Sequence, residues 1–480
     1  MKELTSKEDL EALSRDAGII TFHPQRAFEA ETEVDVISSL KLADDSGLSL
    51  TPRGGGTSIP SQSVGRGIVL VQKMQGFALV EGVASCGPAL VKGKLNEALG
   101  DLGLWMPVDP SSYSSCTVGG MAANNSAGIR TPKYGTTIDH VEWLRVILPG
   151  GDAMRLEPGS LEEAANGSDP RVRKVCELIL QNHKEILAER PRVSKNSSGF
   201  RLERAIEGDR LHLEKLFVGS EGTLGVFTEV GFATRRKPGW RVLFVVETTL
   251  EGLGDAVSAF RSTSPTAIEL LDRSVFRRMG KEEMLSKYAK SDSNYLLFTE
   301  YDGEGSPDAK IEEVAGSKVS GYEPLVITDP AAISEAWEVR NETLKLGLQV
   351  RSGGKVLVPG VEDLVVPGER LPDLVRLLQT EFDRRGLEYI SYGHAGDANL
   401  HARPLLDPTD SSGRRTLDNL MDECFEAVWR MGGSMTGEHG DGMLRAPYVG
   451  RQYPKTYWIM KEIKSLFDPK GVLNPGVKLV

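Results

Sequence analysis

The 480-residue chain is 40% hydrophobic and 26% charged, with a formal net charge of −11. Its length exceeds what one hydrophobic core usually serves, so two or three packed lobes are expected, and the acidic balance argues against nucleic acid, whose binding relies on clustered Lys and Arg. No apolar run reaches the roughly 18 to 20 residues of a membrane helix, and the first residues carry no signal-peptide stretch, so a cytoplasmic protein is expected, membrane-associated if at all through a partner.

In chain order, Val36, Ile37, Leu40 and Ala43 recur among polar neighbours over 34–47, the period of an amphipathic helix. A strand Leu48–Thr51 follows and delivers a glycine loop, then Ile68–Val71 reads as a buried strand. Trp143–Leu148 ends in the turn Pro149-Gly150-Gly151-Asp152, and 160–190 reads as helical with a solvated charged face. Beyond Thr234 the pattern alternates: strand Arg241–Thr248, helix Leu253–Ser262, strands Ala267–Leu271 and Tyr295–Glu300, and a helix near Asp329–Leu346. Strand Glu362–Val366, helix Leu371–Arg385 and strand Glu388–Tyr392 continue it, and the last fifty or so residues are mainly helical. This alternation predicts a separate α+β lobe.

Four cysteines, Cys86, Cys116, Cys176 and Cys424, show no C-x-x-C spacing. They encode neither a disulfide framework nor an iron–sulfur or thiolate-zinc site. Electrons leaving this chain would need another carrier.

Three glycine-rich segments stand out. Pro52-Arg53-Gly54-Gly55-Gly56-Thr57-Ser58 follows a strand and offers successive backbone N–H groups that can wrap a diphosphate. It has neither the Gly-Lys-Ser/Thr ending of a P-loop nor the G-x-G-x-x-G of a Rossmann turn. About fifty residues on come Asp109, Ser112, Thr117, Gly119 and Gly120, then Asn124, Ser126 and Gly128, then Tyr134 and Gly135; Glu221, Gly225 and Val226 belong to the third segment. In order and spacing, 45–235 resembles the FAD-binding domain of the vanillyl-alcohol oxidase and p-cresol methylhydroxylase superfamily. The resemblance implies that the first loop holds the diphosphate, that Gly119–Gly128 runs along the flavin, and that Glu221–Val226 closes over the adenosine half. Without a histidine in these loops, non-covalent FAD is expected. His140 reads as a satisfied structural residue, and Cys116 as a small residue packed beside glycine.

Gly393-His394-Ala395-Gly396-Asp397-Ala398-Asn399-Leu400-His401 places two histidines seven apart, which an unbroken strand would point to opposite faces. A turn at Gly396-Asp397 lets both converge on one ion. Thr436-Gly437-Glu438-His439-Gly440-Asp441-Gly442 adds a carboxylate and a third imidazole. His394, His401 and Glu438 are three metal ligands with an open position, a catalytic arrangement. Zinc is the expected divalent metal, with Mn or Fe as alternatives. Asn399 can either hydrogen-bond substrate or stabilise the turn. His23, His183 and His212 read as ordinary satisfied residues.

From 236 onward the chain resembles the FAD-linked oxidase C-terminal domain of D-lactate, D-2-hydroxyglutarate and glycolate dehydrogenases. The matched landmarks are Ile268-Glu269-Leu270-Leu271-Asp272, Trp337-Glu338-Val339-Arg340, Glu362–Pro367, both histidine motifs and Leu473-Asn474-Pro475-Gly476. The wording around His401-Ala402-Arg403-Pro404 is nearest to the flavin unit of long FAD/iron–sulfur fusion proteins, and this chain ends before such a module. The implied fold is α+β: a two-lobed FAD-binding domain (1–235), a substrate or cap domain with an antiparallel sheet (236–430), and a C-terminal segment (431–480) whose helices return to the FAD domain. Asn474 is implied on the cofactor side.

The implied chemistry is oxidation of a small D-2-hydroxy acid. Arg340 would clamp the carboxylate, although Glu338 and Glu342 offer it a surface ion pair instead, and His439 would accept the hydroxyl proton. Relatives acting on 2-hydroxyglutarate carry a lysine where this chain has Val361 and a threonine where it has Leu344. Lactate, glycolate or a slightly larger apolar acid is therefore expected. The alternatives are D-2-hydroxyglutarate, an ether-lipid synthase, and a non-catalytic or differently specific subunit of a glycolate-oxidase-like complex. Electrons would pass to an iron–sulfur subunit, an electron-transfer flavoprotein or a quinone-linked carrier; a homodimer is compatible with the chain.

Overall fold

The computed structural model describes residues 1–349, 351–352 and 354–480, with side-chain surroundings for all of these but Arg278, 343–349 and 351–352. The parallel strands Arg26–Ala30, Ile68–Gln72 and Leu50–Arg53 lie side by side in that order, with Lys2–Leu4 antiparallel at the edge. Helix Glu33–Ser46 connects the first and last of these. Thr32 and Asp35 form a capping box at its start, and Gly47 ends it at φ 65°, a left-handed conformation that costs glycine nothing. Its buried Val36, Leu40 and Ala43 pack on Leu50, Ile68 and Leu70, which is why the amphipathic period was readable.

A five-stranded antiparallel sheet stands beside it in the order Phe77–Val80, Val83–Cys86, Val226–Ala233, Val141–Ile147, Ala153–Leu156. Ile147 and Val226 enter the same core as the parallel sheet, so Val226 is a packing residue.

The second lobe is built on a nine-stranded antiparallel sheet centred on Ala267–Asp272, Tyr389–His394 and Asn399–Leu406. Alternation along its strands separates two cores. Ile268, Leu270, Leu400 and Ala402 point to one face, where helices Leu253–Arg261 and Leu371–Asp383 cover them. Leu271, Ile390 and Tyr392 point to the other, beneath Ile333, Ala336 and Val339 of helix Pro330–Gln349. Glu269, His394 and His401 share this second face by the same alternation.

Helices Gly442–Gln452 and Tyr457–Phe467 follow, and the chain then runs back to the first lobe. Leu50 donates its N–H to Val472 (2.8 Å) and accepts from Asn474 (2.9 Å), while Phe467 packs edge-on against Phe217. The structure has mixed helices and antiparallel sheets in an α+β arrangement, as expected.

Some expected elements differ. Strand Leu48–Thr51 is observed at Leu50–Arg53, and 160–190 forms three helices, interrupted at Gly167–Asp169 and Asn182. Strand Glu362–Val366 contracts to Leu364–Val365, because the Glu362 carbonyl accepts from His401 Nδ1 and the Asp363 carbonyl accepts from Gly437 N and Asn399 Nδ2. Among the described residues no helix is long and apolar enough to cross a membrane.

Candidate active site

A cavity in the first lobe is lined by Pro52–Ile59, Ser112, Thr117, Gly119, Gly120, Asn124, Ser126, Glu221 and Gly225, among others. The glycines are there because loops meet closely. A Cβ on Gly54 would lie 2.3 Å from Thr117 Oγ1, and one on Gly55 would lie 2.3 Å from the Ser115 carbonyl. The resulting wall is mostly backbone and small polar groups, suited to an elongated polar cofactor. Gln62 and Gln72 also line it, and each has a buried Oε1 without a hydrogen-bond partner. Two orphaned acceptors on this wall fit a donor-bearing ligand such as FAD.

Not every candidate points its side chain there. Arg53 donates to the carbonyls of Ser63 and Arg15 (3.0 and 2.8 Å), so it braces the loop and offers the cavity its backbone. Glu221 accepts the N–H groups of Asp441 and Gly442 and pairs with Lys478, so its carboxylate holds the C-terminal turn. Asp109, Gly128, Tyr134, Gly135, Val226 and Asn474 are not part of the cavity wall. Asp109 pairs with Arg130, and Gly128 packs on the Asp109 carbonyl. Gly135 turns at φ 77° beside Asp139. Tyr134 donates to Asp302 of the second lobe (3.0 Å). Asn474 spends its amide on Gln62 O, Glu221 O and Thr51 Oγ1, tying the C-terminus to the first glycine loop. His140 Nε2 meets the Tyr134 carbonyl at 2.7 Å, a structural contact.

Glu438 and His439 line the far end of this cavity. There the turn expected at Gly396-Asp397 is present as Ala395–Asp397; it brings His394 and His401 together, and the separate segment before helix Gly442–Gln452 adds His439, so that three imidazoles surround one carboxylate oxygen. The Nε2 atoms of His394, His401 and His439 lie 3.1, 3.3 and 3.8 Å from Glu438 Oε1. Each ring's other nitrogen is anchored: His394 Nδ1 on Glu269 Oε1 (2.6 Å), His401 Nδ1 on the Glu362 carbonyl (2.8 Å), and His439 Nδ1 on Glu362 Oε1 (3.0 Å). Anchoring Nδ1–H leaves each Nε2 lone pair aimed inward, the outer-shell pattern of metal-binding histidines. The donor set therefore fits a divalent cation.

Asp363, His401, Glu438 and His439 also form a cluster, with one ligand atom of each within 4.8 Å of the others. Asp363 is nonetheless a poor ligand. Its Oδ2 already accepts Thr436 Oγ1 and the N–H groups of Glu438 and His439, and its Oδ1 accepts Asn399 Nδ2. It shapes the Gly437–His439 turn. His394, His401 and Glu438 remain the better set, with His439 set back and the more exposed ring, its side chain 18% exposed against 6% and 4%.

The charges around this cluster are buried. Burial opposes a charge on His394, yet Glu269 and Glu438 raise it to about 9, so without a cation the ring carries a proton that a cation would replace. Burial keeps His401 neutral. Burial also works against Glu438, but Lys195 and His394 hold it well below the carboxylate range. His439 is raised by Asp363 and Glu362 against its burial.

Arg340 is buried, which removes the surface ion pair with Glu338 and Glu342; its Nε donates to Glu269 Oε2 at 2.9 Å. Asn399 is fully buried; its Nδ2 donates to Asp363 O, Asp363 Oδ1 and Leu364 O, tying its strand to that segment, while its Oδ1 has no hydrogen-bond partner. Lys195, Glu269, Glu362 and Arg445 were not singled out in the sequence as site residues. Lys195 Nζ bridges the Gly128 carbonyl and Glu438 Oε2, both at 3.0 Å, and Arg445 neutralises Glu362. A lone carboxylate in the apolar run Ile268–Leu271 was the available signal for Glu269.

The family model of FAD linked oxidases, C-terminal domain, matches residues 238–477, and an FAD binding domain model matches 24–157. The D-2-hydroxyglutarate dehydrogenase of Pantoea ananatis is 27% identical over 98% of this chain and 49% of its own length. The chain thus spans about half the length of such relatives. A D-lactate dehydrogenase of Archaeoglobus fulgidus is 28% identical over 92% of this chain and 88% of its own, and glycolate oxidase subunit GlcD of Bacillus subtilis is 26% identical over 94% and 89%. The structure of p-cresol methylhydroxylase with substrate bound has the same fold, with a TM-score of 0.72 at 14% identity over 99% of this chain and 93% of that one.

Proposed function

Because the chain belongs to the FAD-linked oxidases by its match over residues 238–477, we propose that it is an FAD-dependent dehydrogenase that converts a 2-hydroxy acid, of D configuration, to the 2-oxo acid. The observation carrying this reading is that Glu438 and His439 belong both to the imidazole cluster and to the wall of the glycine-loop cavity. When bound, FAD supplies a hydride acceptor, and a divalent metal supplies a Lewis acid that lowers the pKa of the substrate hydroxyl.

The chain's own residues supply position and proton transfer. His394, His401 and Glu438 would hold the metal, with Lys195 fixing the second oxygen of Glu438. His439, its Nδ1 held by Glu362, keeps Nε2 available for the hydroxyl proton. Arg340 is fixed by Glu269 with one edge of its guanidinium; its Nη1, which donates a long 3.4 Å hydrogen bond to Asn341 Oδ1, has a second N–H with which to orient a substrate carboxylate.

A screen of D- and L-2-hydroxy acids against the holoprotein under anaerobic conditions tests the proposal. D-enantiomers are expected to bleach the oxidised flavin and yield stoichiometric 2-oxo acid. No bleaching by any 2-hydroxy acid would overturn it.

A further inference from the structure

Helix Pro330–Gln349 carries Arg340 and covers the second-lobe sheet with Ile333, Ala336 and Val339 in the core beneath it. Two buried carboxylates of that sheet fasten it. Glu269 takes Arg340, and Glu300 accepts the Trp337 indole N–H at 2.7 Å. Register explains why both acids serve one helix: Phe298 pairs with Glu269 and Glu300 with Ala267, so Glu269, Phe298 and Glu300 leave the same face of neighbouring strands. Trp337 and Arg340 stand three apart on one side of the helix, and the indole packs edge-on against Phe298, with ring centres 6.4 Å apart.

Glu300 has a further partner, and it comes from the first lobe. Arg130 donates to it through Nε (2.7 Å) and Nη2 (3.0 Å), a two-pronged contact that fixes direction as well as distance. The remaining nitrogen of that guanidinium pairs with Asp109. Glu300 is fully enclosed and the Arg130 side chain is 11% exposed, while Arg241 is a looser neighbour at 3.9 Å. Two residues along the same strand, Asp302 receives Lys133 and the Tyr134 hydroxyl. The segment Arg130–Tyr134 thus grips the strand twice. The stretches that Arg130 joins also reach the cofactor: Pro110, Ser111 and Ser112 after Asp109, and Ser126 and Ala127 before Arg130, line the glycine-loop cavity.

We propose that Arg130, Glu300 and Trp337 form a bridge that sets Arg340 relative to the flavin, so that Arg130 and Trp337 are positioning residues of the substrate clamp; this rests on the role given to Arg340 above. Hydride transfer requires the carboxylate clamp on one lobe and the flavin on the other to keep a fixed separation. Ring packing on Phe298 tolerates sliding along the helix axis. A hydrogen bond to a carboxylate that is itself held from the cofactor lobe does not.

The test uses holoprotein with Trp337→Phe, which keeps a ring on Phe298 and the Arg130–Glu300 pair and removes one donor. Arg340 would hold the carboxylate in ground and transition state alike, so a loosened clamp shows mainly in KM. With the fastest D-2-hydroxy acid of the screen above, KM is expected to rise about tenfold and kcat to fall no more than about threefold, with FAD and metal content at wild-type values. Arg130→Lys keeps the charge but loses the fork, and is expected to raise KM in the same direction. In Trp337→Phe, a fall in kcat at unchanged KM, which is what a purely structural loss of active protein gives, would overturn the proposal, as would no change in either. If the wild type oxidises no 2-hydroxy acid, the activity proposal fails, while hydrogen exchange in the holoprotein still decides the bridge. Faster exchange over 330–340 in Trp337→Phe upholds it, and exchange at the wild-type rate overturns it.

Discussion

His439 differs from the two imidazoles beside it in exposure and in its longer distance to Glu438, and separate roles follow. His394→Ala or His401→Ala is expected to lose the metal and nearly all turnover while keeping FAD, since neither ring lines the cofactor cavity. His439→Asn is expected to keep the metal and lose about 10²–10⁴-fold in rate. Metal content by elemental analysis beside kcat checks both; equal metal loss in all three variants would make His439 a ligand. A second residue-scale prediction concerns Glu214. Burial pushes this carboxyl up to about 7 and lowers its partner His212, so the fold favours a neutral pair. A raised carboxyl contributes stability below its unfolded value, near 4.5, that is lost as pH climbs through about 7. Glu214→Gln should therefore raise stability by about 1–3 kcal/mol at pH 8 and leave pH 4 unchanged, as measured by thermal melts. The histidines and Glu438 were legible because they sit in short glycine-flanked motifs. Lys195 was not: its partner Glu438 is 243 positions away, and nothing local marks the pairing.

At the scale of elements, the glycine loops act as much through their packing as through their N–H groups. A Cβ on Gly55 meets the Ser115 carbonyl, and backbone there cannot swing aside as a flexible side chain would. Gly55→Ala is expected to lower FAD occupancy sharply and to cost about 1–3 kcal/mol of stability, checked by the flavin-to-protein ratio after gel filtration and by melting; full occupancy would show that the loop has room to shift. The amphipathic helix Glu33–Ser46 and the central strands of the second lobe were legible from period and caps. Strand Leu364–Val365 was overestimated because His401 and Asn399 take the carbonyls a ladder would have used. Tyr134 and Asn474 lie in matched motifs, but their side chains join distant segments, a distinction that spacing alone does not carry.

Across the whole molecule, the site is assembled where the two lobes and the C-terminal turn meet. With four buried, unpaired cysteines and no helix among the described residues able to cross a membrane, reoxidation of the flavin is proposed to require a separate carrier. Steady-state turnover is expected to be fast with an artificial dye and slow with oxygen, and peroxide formed as fast as dye is reduced would remove that proposal. Acid precipitation should release free FAD, because no histidine is among the residues of the cavity's glycine loops. The central claim is that the glycine-loop cavity and the imidazole cluster form one catalytic site. Anaerobic bleaching of the flavin by a D-2-hydroxy acid, compared in as-purified, chelator-stripped and metal-restored protein, tests it most directly. The account predicts that stripping abolishes bleaching, that FAD stays bound throughout, and that added metal restores the rate; bleaching at full rate in protein verified to be metal-free would contradict it.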